Sequence, residues 1–400
     1  MGVNQIHALG RTQRFYSALE ATFGTFVKPV TGDALKVLSS SFEFGQERRN
    51  RMDARQTRSL LERITARKTC SWSMECYCLP SGTGSTRPDT DQLLAAAIGK
   101  STVSGPTVVY SLTNNQAGFD IAGTVYPSLT LVRESNKTVM EALVGAMPES
   151  LSIKFAGADE PRFSFSGFAK DHVHTGSTGV VSSSSTVTAT LGSGQGKDYQ
   201  AGSVVFFEVA ATGAVRANNS GAGFKVLSVA GDVLTFSEDV QAAGAVATDL
   251  CLPFVPTETT LGSPINGISG SISITAPATS LIITGGEINV KNSFKPFGDE
   301  AFQAAITDYI PGYREVSGSL TVRGRRDQMI ELGVRKNFTA RDIQIILGTG
   351  SGTRFQIDMD AVEMGFSPLE IPEAEEATFT LPFVAMGTSS GENEFTLTHE

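Results

Sequence analysis

The chain has 400 residues and a formal net charge of −9, and 18% of its residues are charged, against about 25% in an ordinary soluble protein. The apolar fraction of 40% is enough for hydrophobic cores, which excludes global disorder. The acidic balance argues against electrostatic wrapping of nucleic acid. The 41 glycines, together with many serines and threonines, favour β-sheet with frequent turns. At roughly 150 residues per domain, the length allows two or three domains.

The sequence predicts neither export nor membrane insertion. Its N-terminal segment lacks the apolar run of a secretory signal, and no stretch of about 18 apolar residues occurs anywhere. Cys70, Cys76 and Cys78 lie in one segment and Cys251 lies far away, which is not a disulfide framework. We therefore expect synthesis in a reducing cytoplasm and no contact with a membrane.

The first predicted elements are two strands joined by a basic arm. Residues 35–44 predict a strand with Phe42 and Phe44 on one face. Residues 45–68 hold seven Arg and one Lys against three acidic residues, and this segment is expected to be a loop. Residues 69–79 alternate with period two, which predicts a second strand. One face of that strand carries Cys70, Trp72, Met74, Cys76 and Cys78.

A short helix and a series of strands follow. Residues 89–99 predict a helix that Asp89 or Thr90 can cap and that Gly99 can end. Thr138 and Glu141 have the spacing of a capping box, but their segment is short and flanked by Gly and Pro, which favours strand. The predicted strands are at about 107–113, 127–134, 138–145, 150–156 and 162–168.

Three domains are predicted. Residues 176–197 are Ser- and Gly-rich and predict a connector. The β pattern at about 197–257 predicts a small β-barrel or sandwich, and strands resume from 265. The expected boundaries are 1–169, 170–261 and 262–400.

The two ends of the chain resemble each other, which predicts an internal duplication. Each end has a strand, a loop of 20 or more residues, a second strand, a short helix and a strand series. The helix in the second half is expected near 326–333. Two unrelated antiparallel meanders would show a similar pattern, and this alternative stays open.

The residue clusters give no catalytic or metal site. The cysteines at 70, 76 and 78 are expected to be buried apolar residues, because alternate strand positions are poorly spaced for one zinc ion. His172 and His174 are expected at a hinge into the inserted domain. The Gly-rich pieces at 192–196 and 348–352 do not follow the phosphate-loop pattern and predict turns. We expect no enzyme activity, no cofactor and no resident metal.

The arginine-rich segment has three interpretations: a solvated loop, a nucleic-acid arm, or an arm that docks on an acidic surface of a partner. The third is favoured, with the acidic stretch of a neighbouring copy as the surface. The candidate contact residues are Arg48, Arg49, Arg51, Arg55 and Arg58 on the arm, and Glu370, Glu373, Glu375 and Glu376 on the partner.

The order of motifs resembles the major tail tube proteins of long-tailed bacteriophages. It is carried by Glu20–Thr25 with Pro29, by the first strand and polar arm, by the Pro-Ser-Gly at 80–82, by 88–99, and by the final Thr-Phe-Thr-Leu-Pro-Phe. The likeness covers 1–168 and 262–400. It implies a mainly β protein with two tandem tail-tube-type β-sandwich domains, each with a short flanking helix and a long arm. An inserted small β-barrel domain would lie between them.

The resemblance also implies a function. Subunits would form rings that stack into a tube in the virion tail, and double-stranded DNA would pass through the lumen without tight binding. Three duplicated chains would give a trimeric ring with pseudo-sixfold symmetry, and a hexameric ring is the alternative. The arm would reach neighbouring subunits or the adjacent ring, and the tube would meet tape measure, terminator and distal tail proteins. The competing function is a capsid decoration or receptor-binding virion protein that uses the inserted domain. A hydrolase on a β scaffold has no supporting residue cluster.

Overall fold

The structure is a computed structural model. It describes residues 13–51, 63–112, 126–135, 139–176, 179–216, 223–241, 244–258, 262–275, 281–297, 303–323, 340–365, 378–387 and 393–400. Within these ranges the chain is mainly β, with 25 strands and a single α-helix. The strands form a 17-stranded sheet, a closed six-stranded barrel and a two-stranded ribbon.

The bounds of the elements are as follows. The first part of the large sheet comprises β1 (Gln13–Leu19), β2 (Ala34–Leu35), β3 (Val37–Asn50), β4 (Arg63–Tyr77), β5 (Gly99–Ser104), β6 (Thr107–Leu112), β7 (Leu129–Ser135), β8 (Val139–Ala156), β9 (Arg162–Ala169) and β10 (Asp171–Gly176), with helix α1 (Asp91–Ile98). The barrel comprises β11 (Gly179–Ser184), β12 (Thr188–Leu191), β13 (Val204–Glu208), β14 (Phe224–Ala230), β15 (Val233–Phe236) and β16 (Leu250–Pro253). The remainder comprises β17 (Gly270–Thr275), β18 (Ile283–Lys291), the ribbon strands β19 (Lys295–Phe297) and β20 (Asp308–Ile310), β21 (Glu315–Arg323), β22 (Arg341–Leu347), β23 (Phe355–Met364), β24 (Thr378–Ala385) and β25 (Thr396–His399).

The chain has two halves on either side of the barrel, β1–β10 and β17–β25, and their strands pair in the same order. In the first half the antiparallel order is β1-β7-β8-β9-β4-β3, and β10 pairs with β8. In the second half the order is β17-β22-β23-β24-β21-β18, and β25 pairs with β23. The strands also follow one another along the chain in the same sequence in both halves.

One hydrophobic core runs through both halves. It joins the inward face of β4 to α1 and to the inward faces of β18, β21 and β23. Cys70, Cys76 and Cys78 are buried in it, as the alternation predicts. The barrel has a separate core, and a third cluster between Tyr16, Phe26, Val173 and Val204 packs the barrel against the first half.

Strand β8 bends at Gly145, where it passes between two parts of the sheet. Residues up to Ala146 pair with β7 and β10, and residues from Met147 onward pair with β9 and β18. Gly145 has φ +66, and a Cβ there would lie 2.8 Å from the Cβ of Lys170. Only glycine adopts this conformation at little cost in so crowded a place.

The helix prediction is confirmed, and several predicted boundaries are wrong. Thr90 lies at the N-cap of α1 without a side-chain capping bond, and Gly99 ends the helix with φ +125. Residues 139–145 are strand as expected, but they are continuous with 150–156 in β8. The predicted connector at 176–197 instead contains β11 and β12, so the barrel begins at Gly179 and not near 197. The helix expected near 326–333 lies outside the described residues.

Two further predictions are corrected near the arm and the histidine pair. Strands β3 and β4 extend into the expected loop at 45–68, because residues 45–50 and 63–68 continue the antiparallel ladder. His172 and His174 lie on β10, paired with Leu143 and Glu141 of β8, and not on a hinge. The strands that were not predicted include β1, β5, β10 and β25, and also β19 and β20, which lie in the stretch between 292 and 314 that was expected to be a loop.

Candidate self-assembly surfaces

A continuous polar face crosses the middle of the large sheet. Seven strands lie side by side in the order β3-β4-β9-β8-β18-β21-β24. One row of opposed residues on this face runs Ser39, Glu75, Ser164, Ser152, Asn289, Ser317 and Val384. The opposite face of the same strands is the core. The polar face is therefore built mainly from short hydroxyl and amide side chains.

Charge on this face is balanced. Its acidic residues are Glu43, Glu75, Glu287 and Glu315, and its basic residues are Lys154, Arg162, Lys291 and Arg323. Arg162 pairs with Glu75 at 3.3 Å, and Lys154 pairs with Glu287 at 3.6 Å. These pairs join neighbouring strands, so the face as a whole is neutral.

The two halves meet through strand pairing at two places. Within the seven strands of the polar face, Gly285–Lys291 of β18 pairs with Ser150–Ala156 of β8 in unbroken register. Outside these seven strands, β25 lies between β6 of the first half and β23 of the second half. Next to the junction of β8 and β18, the side-chain amide of Asn292 donates a hydrogen bond to the carbonyl oxygen of Ala97 at 2.7 Å. The second half is thus an added continuation of the sheets of the first.

Strand β3 is the outermost strand of the polar face in the first half. Among the described residues, β3 pairs with β4 on one side and with no strand on the other. Leu38 and Phe44 on this edge strand are 39% and 46% exposed. Phe44 stacks on His172 of β10, with ring centroids 5.5 Å apart. An unpaired edge with exposed apolar side chains invites pairing with another chain.

Both halves carry the same hairpin arm. In the first arm, Arg49 pairs with Ile64 and Asn50 pairs with Arg63. In the second arm, Lys295 pairs with Ile310 and Pro296 pairs with Tyr309. Each residue of the second arm lies 246 positions after its counterpart, since 295 − 49 and 310 − 64 are equal. By this offset, arm 45–68 corresponds to 291–314, and the two arms have the same length.

The second arm docks on the first half of the same chain. Phe294 and Tyr309 join an aromatic cluster with Tyr126, and the ring of Tyr309 lies 5.3 Å from that of Phe23. The Tyr309 hydroxyl donates to the Tyr126 carbonyl oxygen at 2.6 Å. This cluster covers Met147 of β8 and Phe168 of β9 at one end of the polar face. The Arg314 guanidinium pairs with Glu394 at the base of the arm.

The predicted contact residues are only partly described. Arg48 and Arg49 lie at the exposed end of β3, and Arg51 directly follows it. Arg49 pairs with Glu47 of its own strand at 2.8 Å, and this hydrogen bond lowers the pKa of Glu47. Arg55, Arg58, Glu370, Glu373, Glu375 and Glu376 lie outside the described residues, so their proposed contacts remain predictions.

The cysteines and histidines that the structure describes are not grouped around one ion. Burial raises the pKa of the Cys70 thiol to about 11, and it raises the pKa values of Cys76 and Cys78 well above the usual range. His399 is buried, and burial lowers its pKa. In the ranges that the structure describes, no three His, Cys, Asp or Glu side chains are grouped as metal ligands. Burial suits the packing role predicted for the cysteines.

The sequence missed the strand junctions and the acceptor surface of the second arm. Alternation predicted the polar face of β4, but sequence does not reveal which strands become neighbours across 130 residues. The equal spacing of the two arms was detectable, because the offset of 246 holds on both sides of each hairpin.

No protein-family model matches this chain, and a search of curated proteins finds none that matches it. In the described part of the chain, no helix is long and apolar enough to cross a membrane.

Proposed function

We propose that this protein is the structural subunit of a bacteriophage tail tube, built from two duplicated tube domains. The observation that carries the proposal is the junction between β8 and β18. It joins two sets of strands with the same pairing order side by side, and it leaves β3, the counterpart of β18, unpaired at the far side of the first set.

Repetition of this junction between chains generates a closed assembly. The second half of one copy would pair with β3 of the next copy, as β18 pairs with β8 within the chain. Such a head-to-tail contact closes into a ring when its rotation divides a full turn, and closure removes all free edges. With two equivalent halves per chain, three copies give six units, so the expected ring is a trimer with pseudo-sixfold symmetry. A hexameric ring is the alternative.

The neutral polar face is proposed as the wall of the lumen. A curved sheet closed into a ring has one face inward, and the core occupies the other face of these strands. Short hydroxyl side chains and paired charges offer phosphates no basic patch. Because DNA affinity comes largely from Lys and Arg contacts to phosphate, such a wall lets DNA pass without retaining it. The role is structural rather than catalytic, in the tail of the virion, with tape measure, terminator and distal tail proteins as partners of the tube.

Electron microscopy of the purified protein and of virions tests the proposal. We expect stacked rings at high protein concentration, and end-on class averages with threefold symmetry and six similar lobes. Sixfold symmetry with twelve lobes would indicate the hexamer. Particles that remain monomeric at all concentrations, or isolated particles bound to capsids, would overturn the tube and favour a decoration or receptor-binding role.

A further inference from the structure

In the described part of the chain, the second half has a counterpart of the surface on which the second arm docks, and no arm packs over it. In the first half, Ser71 lies opposite Phe168, which lies opposite Met147. In the second half, Ser317 lies opposite Val384, which lies opposite Glu363. Ser317 follows Ser71 by the same 246 positions that separate the two arms. Val384 therefore takes the place of Phe168, and Glu363 takes the place of Met147.

The two surfaces differ in what covers them. Met147 is fully buried and Phe168 is partly buried, because the second arm packs over both. Val384 is 45% exposed and its neighbour Met386 is 41% exposed. These are two of the larger exposed apolar side chains on the molecule, and they lie where the first half holds a docked arm.

The first arm differs from the second in a way that matches this surface. Arg48 and Arg63 occupy the positions of Phe294 and Tyr309, the two arm residues of the aromatic cluster. On the acceptor side, an acidic residue, Glu363, replaces the apolar Met147. Within the described part of the chain, Glu363 makes no ion pair. Within the chain, the second arm meets its acceptor through apolar side chains. At the equivalent positions, the first arm carries basic side chains and the second half carries the acidic Glu363.

We propose that the arm of one copy docks on the second half of the adjacent copy in the same ring, covering Val384 and Met386 and pairing Arg48 and Arg63 with Glu363. This inference rests on the proposed tube, and it identifies the acceptor of the arm and the direction in which the arm reaches. The occupant is a second copy of this chain, because the chain already shows the same arm docked on the unit beside it in the sheet. The contact is lateral, within a ring, since the second arm and its acceptor belong to adjacent units of one sheet.

Charge reversal and rescue test the pairing. We expect Glu363→Arg to raise the protein concentration needed for ring formation about tenfold or more, because like charges would then meet at the contact. The variant with both Arg48→Glu and Arg63→Glu is expected to behave in the same way. Combining all three substitutions should restore ring formation. Lys197→Glu, on the exposed surface of the barrel, is the matched control and should assemble like the unmodified chain.

The readouts are analytical ultracentrifugation and negative-stain images, with circular dichroism to establish folding. Failure of the triple variant to assemble, or normal rings from the single-side variants, would overturn the pairing while leaving the tube intact. Reversal variants that form normal rings but no stacks would show that the arm acts between rings, which also contradicts the proposal. Absence of rings from the unmodified chain would instead contradict the proposed function itself.

Discussion

A buried carboxyl group beside the helix links the N-terminal part of the chain to α1. Asp89 is 7% exposed, and it accepts a hydrogen bond from the backbone N–H of Lys36 at 3.1 Å. Burial raises its pKa to about 7, more than the hydrogen bonds and the Lys36 charge lower it. The folded chain therefore favours the protonated acid, whereas the unfolded chain ionises it at a pKa of about 3.9.

Stability is expected to fall as this group ionises. A group whose pKa is raised on folding contributes its full stability below about pH 4, and that contribution is lost as the pH rises toward 7. Asp89→Asn mimics the protonated form and keeps an acceptor for the Lys36 N–H. Its advantage over the unmodified chain should be on the order of 2 kcal/mol larger at pH 8 than at pH 5. Urea unfolding at the two pH values measures this difference.

One result would contradict the raised pKa of Asp89. An Asn variant that is equally destabilised at both pH values would mean that the carboxylate is ionised and needed in the folded chain. Asp159→Asn, on the exposed turn after β8, serves as the control, because it makes the same substitution at a side chain that is exposed.

At the scale of elements, the barrel behaves as an insertion with adjoining ends. Gly179 at its start pairs with Cys251 at its end. The Tyr199 hydroxyl accepts from the Gly179 N–H at 2.9 Å and donates to the Cys251 carbonyl oxygen at 2.8 Å, which fastens the two ends together. Lys28 anchors the barrel to the first half through Glu238 and the Gly223 carbonyl oxygen, both at 2.9 Å.

Excision of the barrel should leave the tube intact. Directly paired antiparallel residues have Cα atoms about 5 Å apart, so two glycines can replace residues 180–250. The cut must lie after β10, because 171–176 pair with β8. We expect a folded chain that forms rings, with a loss of about 1–2 kcal/mol from newly exposed apolar surface at Phe26 and Val173.

Thermal unfolding and electron microscopy measure the two effects. A comparable excision that also removes β10 is the informative contrast, because it takes a strand from the large sheet and should prevent folding. Loss of rings from a folded barrel-less chain would show that the barrel takes part in assembly and would contradict its peripheral position.

Local patterns predicted the elements better than their connections. The alternation in 69–79 specified β4 and its buried cysteines, and the Asp-Thr-Asp start with Gly99 specified α1. The connector error arose because Ser- and Thr-rich strands such as β11 have the composition of a linker but are closed into a barrel by β16. Long-range pairing such as β8 with β18 has no local signal, and it sets both the proposed ring contact and the acceptor of the arm.

At the scale of the whole molecule, the low charge fraction agrees with the proposed assembly, in which much of the surface faces other copies of the chain. The charged residues are unevenly distributed over the molecule. Basic residues gather on the first arm, the polar face is balanced, and Glu363 lies beside exposed apolar side chains. Interfaces are depleted of charge at their centres and use the remaining charges to fix register.

The balanced face gives the last prediction, which concerns passage of DNA. Ser73, Ser164 and Ser319 lie on three strands of the polar face, so Ser73→Lys, Ser164→Lys and Ser319→Lys together would line the proposed lumen with basic side chains. Because these positions face solvent and not the core, we expect rings to form normally. DNA retention should appear in tubes of this variant and should weaken steeply with added salt, as counterion release requires.

Retention of short double-stranded DNA by purified tubes, measured at several salt concentrations, tests this. Ser73→Asn, Ser164→Asn and Ser319→Asn together change size and polarity without adding charge, and these tubes should retain no more DNA than unmodified ones. Equal DNA retention by the lysine and asparagine variants would mean that this face does not line the channel. In that case the sheet would be oriented the other way in the ring, and the edge pairing through β3 would need a different curvature.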